Sequence, residues 1–147
     1  MIAVVKAEPD QPLWDRLMDY AENSTWIVGK RIAMLMRERR FTDWEGVFAA
    51  EKNGAIVGYC TFLKTDYYPE NRYSPWISSI FVDEKHRGHR ISQQMIETVI
   101  GYARSLGFSQ VYIPSDMVGL YEKYGFSKVD ELVNYAGDKD GIYARDI

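Results

Sequence analysis

His86, Arg87, His89 and Arg90 crowd around one glycine, Gly88, in the stretch KHRGHRISQQMI over residues 85–96. The chain then turns into apolar residues at helical spacing. Cations belong at the carboxyl end of a helix, because the amino end already carries positive partial charge. The placement makes physical sense when a strongly anionic group occupies the turn. The first N–H groups of a helix have no intrahelical acceptor and form a ready anion site. Gly88 permits a tight turn or a close backbone approach. The helix end alone contributes only about 0.3–2 kcal/mol per charge, so Arg87 and Arg90 would supply much of the affinity. A pyrophosphate is the natural occupant. Residue types alone leave a solvated basic turn equally open.

A second group lies in GLYEKYGF, residues 119–126. A phenol has a pKa near 10, so Tyr121 is protonated at neutral pH and can donate to a departing anion. Tyr124 falls almost one turn later and is the weaker candidate. The plain alternative is that both rings pack a short helix. Asp66, Glu70, Asp83 and Glu131 are carboxylates that could serve as a general base, as could a chain of waters. His86 and His89 lie in the basic turn, where solvated or phosphate-contacting roles suit them better.

These groups need elements to position them. Ile2 to Ala7 reads as a first strand. Asp10 caps a helix carrying Leu13, Trp14, Leu17, Met18 and Ala21 at helical spacing. Ser24 or Thr25 caps a second helix with Val28, Ile32, Leu35 and Met36 on one face. The run Arg37–Arg40 closes it as a solvated end. Val47–Glu51 and Ile56–Leu63 flank Asn53-Gly54, the strongest short hairpin signal. WISSIFV, residues 76–82, reads as a central strand. The following helix buries Ile91, Met95, Val99, Tyr102 and Leu106, widened by Ile96, Ile100 and Ala103, and ends at Gly107. SQVYIP is another strand. Asp116 caps a short helix from Met117 to Tyr124, and two strands joined across GDKD close the chain. The expected class is α/β of the α+β type. Its central sheet is mixed and mostly antiparallel, with one parallel strand-helix-strand crossover.

Composition narrows the function. The chain has 147 residues, enough for one domain with a real core. A net charge of -3 argues against a general nucleic-acid binder. Cys60 is the only cysteine, so neither an internal disulfide nor a cysteine-built zinc cluster forms. No apolar run approaches the roughly 20 residues that span a bilayer. The amino terminus does not read as a signal peptide, so the expected location is cytoplasmic.

SSIFVDEKHRGHRISQQMIETVIGYARSLGF, followed by LYEKYGF, resembles the GNAT superfamily of N-acetyltransferases over residues 45–130. The family's acetyl-CoA motif runs Arg or Gln, two residues, Gly, one residue, then Gly or Ala. Laid on this chain, Arg87 takes the first place, Gly88 and His89 come after it, Arg90 stands at the first glycine, Ile91 is next and Ser92 takes the last place. Two of these depart from the pattern. Arg90 fits only with a helical backbone and a side chain leaving the phosphate side; otherwise it reaches the nucleotide's 3′-phosphate. Ser92 is small, and its hydroxyl could meet a phosphate oxygen.

The resemblance implies a GNAT-like fold, with 1–147 as a single N-acetyltransferase domain. It implies acetyl-CoA as co-substrate, without a metal. Backbone groups of Ile80, Phe81 and Val82 would hold the pantetheine arm like an added strand. Tyr121 would protonate the leaving sulfur. Pro114 stands where the family often has an asparagine on the pantetheine amide, and Ser115 or Asp116 would substitute. The acceptor would be a primary amine on a small molecule or peptide, in direct transfer through a ternary complex. The first two helices and DYYPENRYSPW would shape its pocket. No nucleic acid or membrane partner is expected, and a homodimer is compatible with the aromatic surplus. A rival reading is a catalytically silent acyl-CoA sensor, motivated by Arg90 and Ser92.

Overall fold

The structure is a computed structural model and describes residues 1–147. Strands alternate with helices in chain order. β1 (Ile2–Lys6) precedes α1 (Pro12–Glu22) and α2 (Val28–Arg37); β2 (Gly46–Lys52), β3 (Ala55–Leu63) and β4 (Trp76–Val82) are next. Then come α3 (Ile91–Ser105), β5 (Gln110–Ser115), β6 (Ser127–Val133) and β7 (Lys139–Asp146). The seven strands form one sheet in the order β1-β2-β3-β4-β5-β7-β6. β4 and β5 run parallel, meeting at Trp76 and Tyr112. β1–β2, β5–β7 and β6–β7 are antiparallel. The expected mixed sheet with one parallel crossover is the sheet observed. No helix is long and apolar enough to cross a membrane.

Residue contacts gather the chain into two compact units, Met1–Thr61 with Ser79–Thr98, and Phe62–Ser78 with Val99–Ile147. In the first, α1 and α2 bury Trp14, Leu17, Ala21, Ile32 and Met36 against Val47, Tyr59 and Phe81. Each large side chain removed from water there contributes about 1.5–3 kcal/mol. Phe81 is stacked on Tyr59 with ring centroids 5.0 Å apart and on Trp26 at 6.2 Å. The sheet here needs a residue without a side chain. A Cβ on Gly58 would stand 2.5 Å from the Phe81 carbonyl oxygen, so only glycine lets β3 lie this close to β4.

In the second unit, Trp76 is fully buried among Tyr68, Leu132 and Ile142. The segment 64–75 folds over them and is tied down through tyrosine hydroxyls. Tyr68 donates to Asp140 at 2.8 Å and Tyr73 to Asp130 at 2.7 Å. Val99, Ile100 and Ala103 of α3 are fully buried, but Leu106 is exposed and lies beyond the helix end.

Several local expectations need correcting. Gln11, not Asp10, caps α1, because Pro12 is pre-set for the first helical position and fixes the start one residue later. Asp10 adopts φ +70° and pairs with Arg39 at 2.6 Å instead. Ile27 caps α2 without a side-chain bond. Ser24, offered as its cap, instead donates to the Ala21 carbonyl and meets the Tyr59 hydroxyl at 3.2 Å. The short helix expected over 117–124 is only a 3-10 turn over Tyr121–Tyr124. Gly119, at φ +89°, interrupts the preceding residues. Ser115, not Asp116, accepts the Met117 N–H, at 2.9 Å.

Candidate active site

β4 delivers the chain to the basic turn, and it is not a regular strand. Ile77 and Ser78 are both buried, and Ser79 and Ile80 are both half-buried. Ser79 has a φ of +52°, which puts a left-handed residue inside the strand. Such an irregularity bends a strand and re-aims its remaining residues, here Ile80, Phe81 and Val82.

Beyond Val82 the backbone closes a small turn. Asp83 donates its N–H to the Val57 carbonyl at 2.8 Å and accepts the Lys85 N–H on its carboxylate at 3.0 Å. A 3-10 turn then spans Glu84–His86, which the residue pattern did not announce. Arg87 folds back. Its Nε donates to the Val82 carbonyl at 3.0 Å, and its guanidinium carbon lies 6.0 Å from the centre of the Phe81 ring. Gly88 takes φ +83° in open space. His89 is exposed.

Arg90 is the informative residue. A helical backbone was expected there, and its φ of +59° is instead left-handed. Glycine adopts this region freely, and an L-residue is strained in it. The Arg90 carbonyl accepts the Gln94 N–H at 3.1 Å, so Arg90 stands at the cap of α3. Its side chain lines a groove of about 440 Å³ with Ile2, Val4, Gln94 and Glu97. Ile91 is buried and begins the helix, and Ser92 is half-buried in its first turn.

The remaining site residues lie in the second unit. Tyr121 opens the 3-10 turn and is 9 % exposed. Its ring lies 6.3–6.4 Å from those of Tyr124, Phe126 and Tyr143. Its carbonyl accepts the Phe126 N–H at 3.2 Å, and Gly125 ends the turn at φ +86°. Ser115 has its hydroxyl engaged in the local turn to Met117. Pro114 lies opposite Ile142 of β7.

Among the carboxylates considered as bases, Glu70 pairs with Arg72 at 3.3 Å and Glu131 with Lys128 at 3.7 Å. Asp66 accepts the Tyr67 N–H at 2.8 Å. Asp83 lines a sizeable cleft. That cleft, about 680 Å³, is bounded by Asp19 and Tyr20 of α1, Asn23 at its carboxyl cap, Phe81 of β4, and the turn residues Asp83 and Glu84. The Tyr20 phenol is pushed up to about 12, first by burial and then by the charge of Asp83. Asp19 and Tyr20 escaped the reading of the sequence. On a helix they look like ordinary solvent-facing positions, and only the fold brings Phe81 and Asp83 opposite them.

Comparisons with known proteins bear on what this arrangement is. A profile of the Acetyltransferase (GNAT) family matches residues 10–126. The chain is 31% identical over 91 residues to N-acetyltransferase 8 of Rattus norvegicus, covering 58% of this chain and 41% of that protein. It is 27% identical over 81 residues to the uncharacterized N-acetyltransferase YhbS of Escherichia coli (strain K12), covering 55% and 48%. The chain thus spans less than half the length of these relatives. Solved structures share its fold from end to end. One is a GNAT family acetyltransferase from Elizabethkingia anophelis with acetyl-CoA bound, with TM-score 0.69, 18% identity, and coverage of 99% and 98%. Another is aminoglycoside 6'-acetyltransferase type Ii, with TM-score 0.74, 20% identity, and coverage of 98% and 96%. The family match runs through α1, the irregular β4, the left-handed cap at Arg90 and the turn at Tyr121, and this chain belongs to the GNAT acetyltransferase family.

Proposed function

We propose that this protein transfers an acetyl group from acetyl-CoA to a primary amine, with both substrates bound together. The observation that carries the reading is the left-handed backbone at Arg90. The motif asks for glycine there, and the chain keeps glycine's conformation while changing the residue. Conformation at that place matters because it sets the direction of the first amides of α3, and those amides bind an anion well only when they converge.

In this reading, the amides of 88–92 hold the pyrophosphate. Backbone groups of Ile80, Phe81 and Val82 hold the pantetheine arm as an added strand would. A neutral amine attacks the thioester carbonyl, the C–N bond forms and the C–S bond breaks. The amine's proton passes to a chain of waters, and Tyr121 protonates the departing thiolate and recovers its own proton from solvent. The products are an amide and CoA. A cytoplasmic site of action and a homodimer belong to the same proposal.

Calorimetry with CoA, then a thiol-release assay over a panel of amines, tests it. Tyr121→Phe should bind CoA as before and turn over roughly 10²–10⁴-fold more slowly, the range for a positioned acid. An unchanged rate would remove Tyr121 from its role. Binding without turnover on any amine would favour a silent acyl-CoA sensor instead.

A further inference from the structure

The two edges of the sheet are not alike. β6 shifts register between Lys128 and Asp130 and carries the charges of Lys128, Asp130 and Glu131. A bulge and edge charges are ordinary defences against pairing with another chain. β1 forms the opposite edge. Its ladder with β2 runs unbroken from Ile2 to Lys6, and Lys6 is its one charged residue.

The register shows which backbone groups face outward. Ala7 donates its N–H to the Val47 carbonyl at 2.9 Å, continuing the β1–β2 register. Hydrogen-bonded pairs alternate along an antiparallel ladder. Ala3 and Val5 therefore bond β2, while Ile2 and Val4 turn their N–H and C=O groups to the open edge. The same two residues line the groove of about 440 Å³. Its wall is a stripe of α3, with Arg90 at the cap and Gln94 and Glu97 one and two turns on. All of these residues lie in the first unit.

An edge of this kind accepts an added strand, and its charges select one. In antiparallel self-pairing centred on Val4, Val4 exchanges both backbone bonds with its copy. Lys6 then falls opposite Ile2, so no like charges meet. The same two-fold axis reverses one α3 stripe against the other. It turns the end with Arg90 toward the end with Glu97, in both directions at once. We propose that a second copy of this chain docks here, β1 to β1 about Val4, with Arg90 of each copy facing Glu97 of the other. This rests on the homodimer proposed above and names its surface.

Sedimentation velocity of the full chain reads the association, and residue-resolved hydrogen exchange locates it. A strand edge with one helix stripe is a small interface, so Kd should be on the order of 10 μM and should rise with salt. As the dimer forms, the Val4 amide should gain protection about tenfold, whereas the Val5 amide, bonded to β2, is protected at every concentration. Val4→Pro removes an outward N–H, which an edge strand tolerates, and should weaken association about tenfold or more. Glu97→Arg, at an exposed position, should weaken it roughly three- to tenfold, and Arg90→Glu/Glu97→Arg should restore it. A chain that stays monomeric up to about 1 mM overturns the surface and the homodimer together. A dimer that leaves Val4 exchange unchanged and is indifferent to Glu97→Arg overturns the surface and leaves the homodimer standing.

Discussion

Arg90→Gly isolates the strain at the mouth of α3. Arg90 has φ +59°. A left-handed L-residue costs roughly 1–2 kcal/mol, because Cβ crowds the following carbonyl oxygen. Glycine has no Cβ, so the native state gains that amount. Glycine also loosens the unfolded chain, which offsets about 0.4–1 kcal/mol. The side chain is exposed, so its removal from the surface has little cost of its own. The net expectation is a stabilisation of about 0–1.5 kcal/mol. In a chain of 147 residues that is a rise in Tm of up to about 5 °C. Arg90→Ala removes the same guanidinium and keeps the strain, so it should leave Tm close to the parent. The difference between the two variants then measures the backbone term alone. Thermal melts and urea titrations of all three proteins supply it, with the urea slope unchanged. CoA affinity should hold within about threefold in both variants, because Arg90 lines the groove with Ile2 and Val4. Two results would refute the reasoning. If Arg90→Gly loses more than about 1 kcal/mol, groove contacts outweigh the strain. If both variants lose CoA affinity tenfold or more, the guanidinium is on a phosphate and not on the helix flank.

Packing and the buried acids give two other outcomes. Gly58→Ala should destabilise by about 1–3 kcal/mol or more, because the new methyl meets backbone, the Phe81 oxygen at 2.5 Å and the Val82 Cα at 3.4 Å, and backbone cannot swing aside; a urea midpoint equal to the parent's would contradict that spacing. Stability should also fall at alkaline pH. Burial pushes the Cys60 thiol from 9.0 up to about 12, and Tyr20 rises from 10.0 to about 12. Both folded values exceed the unfolded ones, so the contribution is complete below about pH 9 and is lost as pH rises toward 12. Urea midpoints at pH 8, 9.5 and 11 should decline, and Cys60→Ala should flatten the first part of that decline whatever its effect at pH 8.

Where local chemistry decides alone, the sequence was readable. Asn53-Gly54 forms the expected hairpin turn at φ +52° and +80°, as few other pairs do without strain. α3 ends before Gly107, at φ +92°. The helix periodicity over 91–103 named Ile91, Met95, Ile96, Val99, Ile100 and Ala103, all buried, whereas Tyr102 of the same stripe is half-buried. Where tertiary context decides, the reading failed. Ser79 carries no signal for a left-handed residue, yet its φ is +52°. Asp10 has a good capping side chain, but Pro12 moved the helix start past it. The apolar spacing of Met117, Leu120 and Tyr121 fits a helix, and Gly119 leaves room only for a 3-10 turn. Asp19 and Tyr20 could not be singled out, because a cleft wall and a solvated helix face share the same residue types.

The basic cluster at residues 85–90 posed a problem of charge placement, and the structure resolves it by dispersal. Arg87 is turned back onto the Val82 carbonyl and the Phe81 ring. Arg90 lines the groove with Ile2, Val4 and Gln94. His89 is exposed, and His86 encloses its Nδ1 without a hydrogen-bond partner. The Arg87 guanidinium is therefore held on the strand that precedes the helix mouth. The approach to the first turn of α3 is left to peptide amides, which the helix geometry leaves without intrahelical acceptors. A cation that plugged this position would compete with any bound anion's own contacts, whereas one held a few ångströms aside adds its field and leaves the amides accessible. That division of labour explains how a chain can carry arginine at the motif's glycine. What the turn must conserve is a backbone direction, and a side chain is tolerated there once it has somewhere else to go.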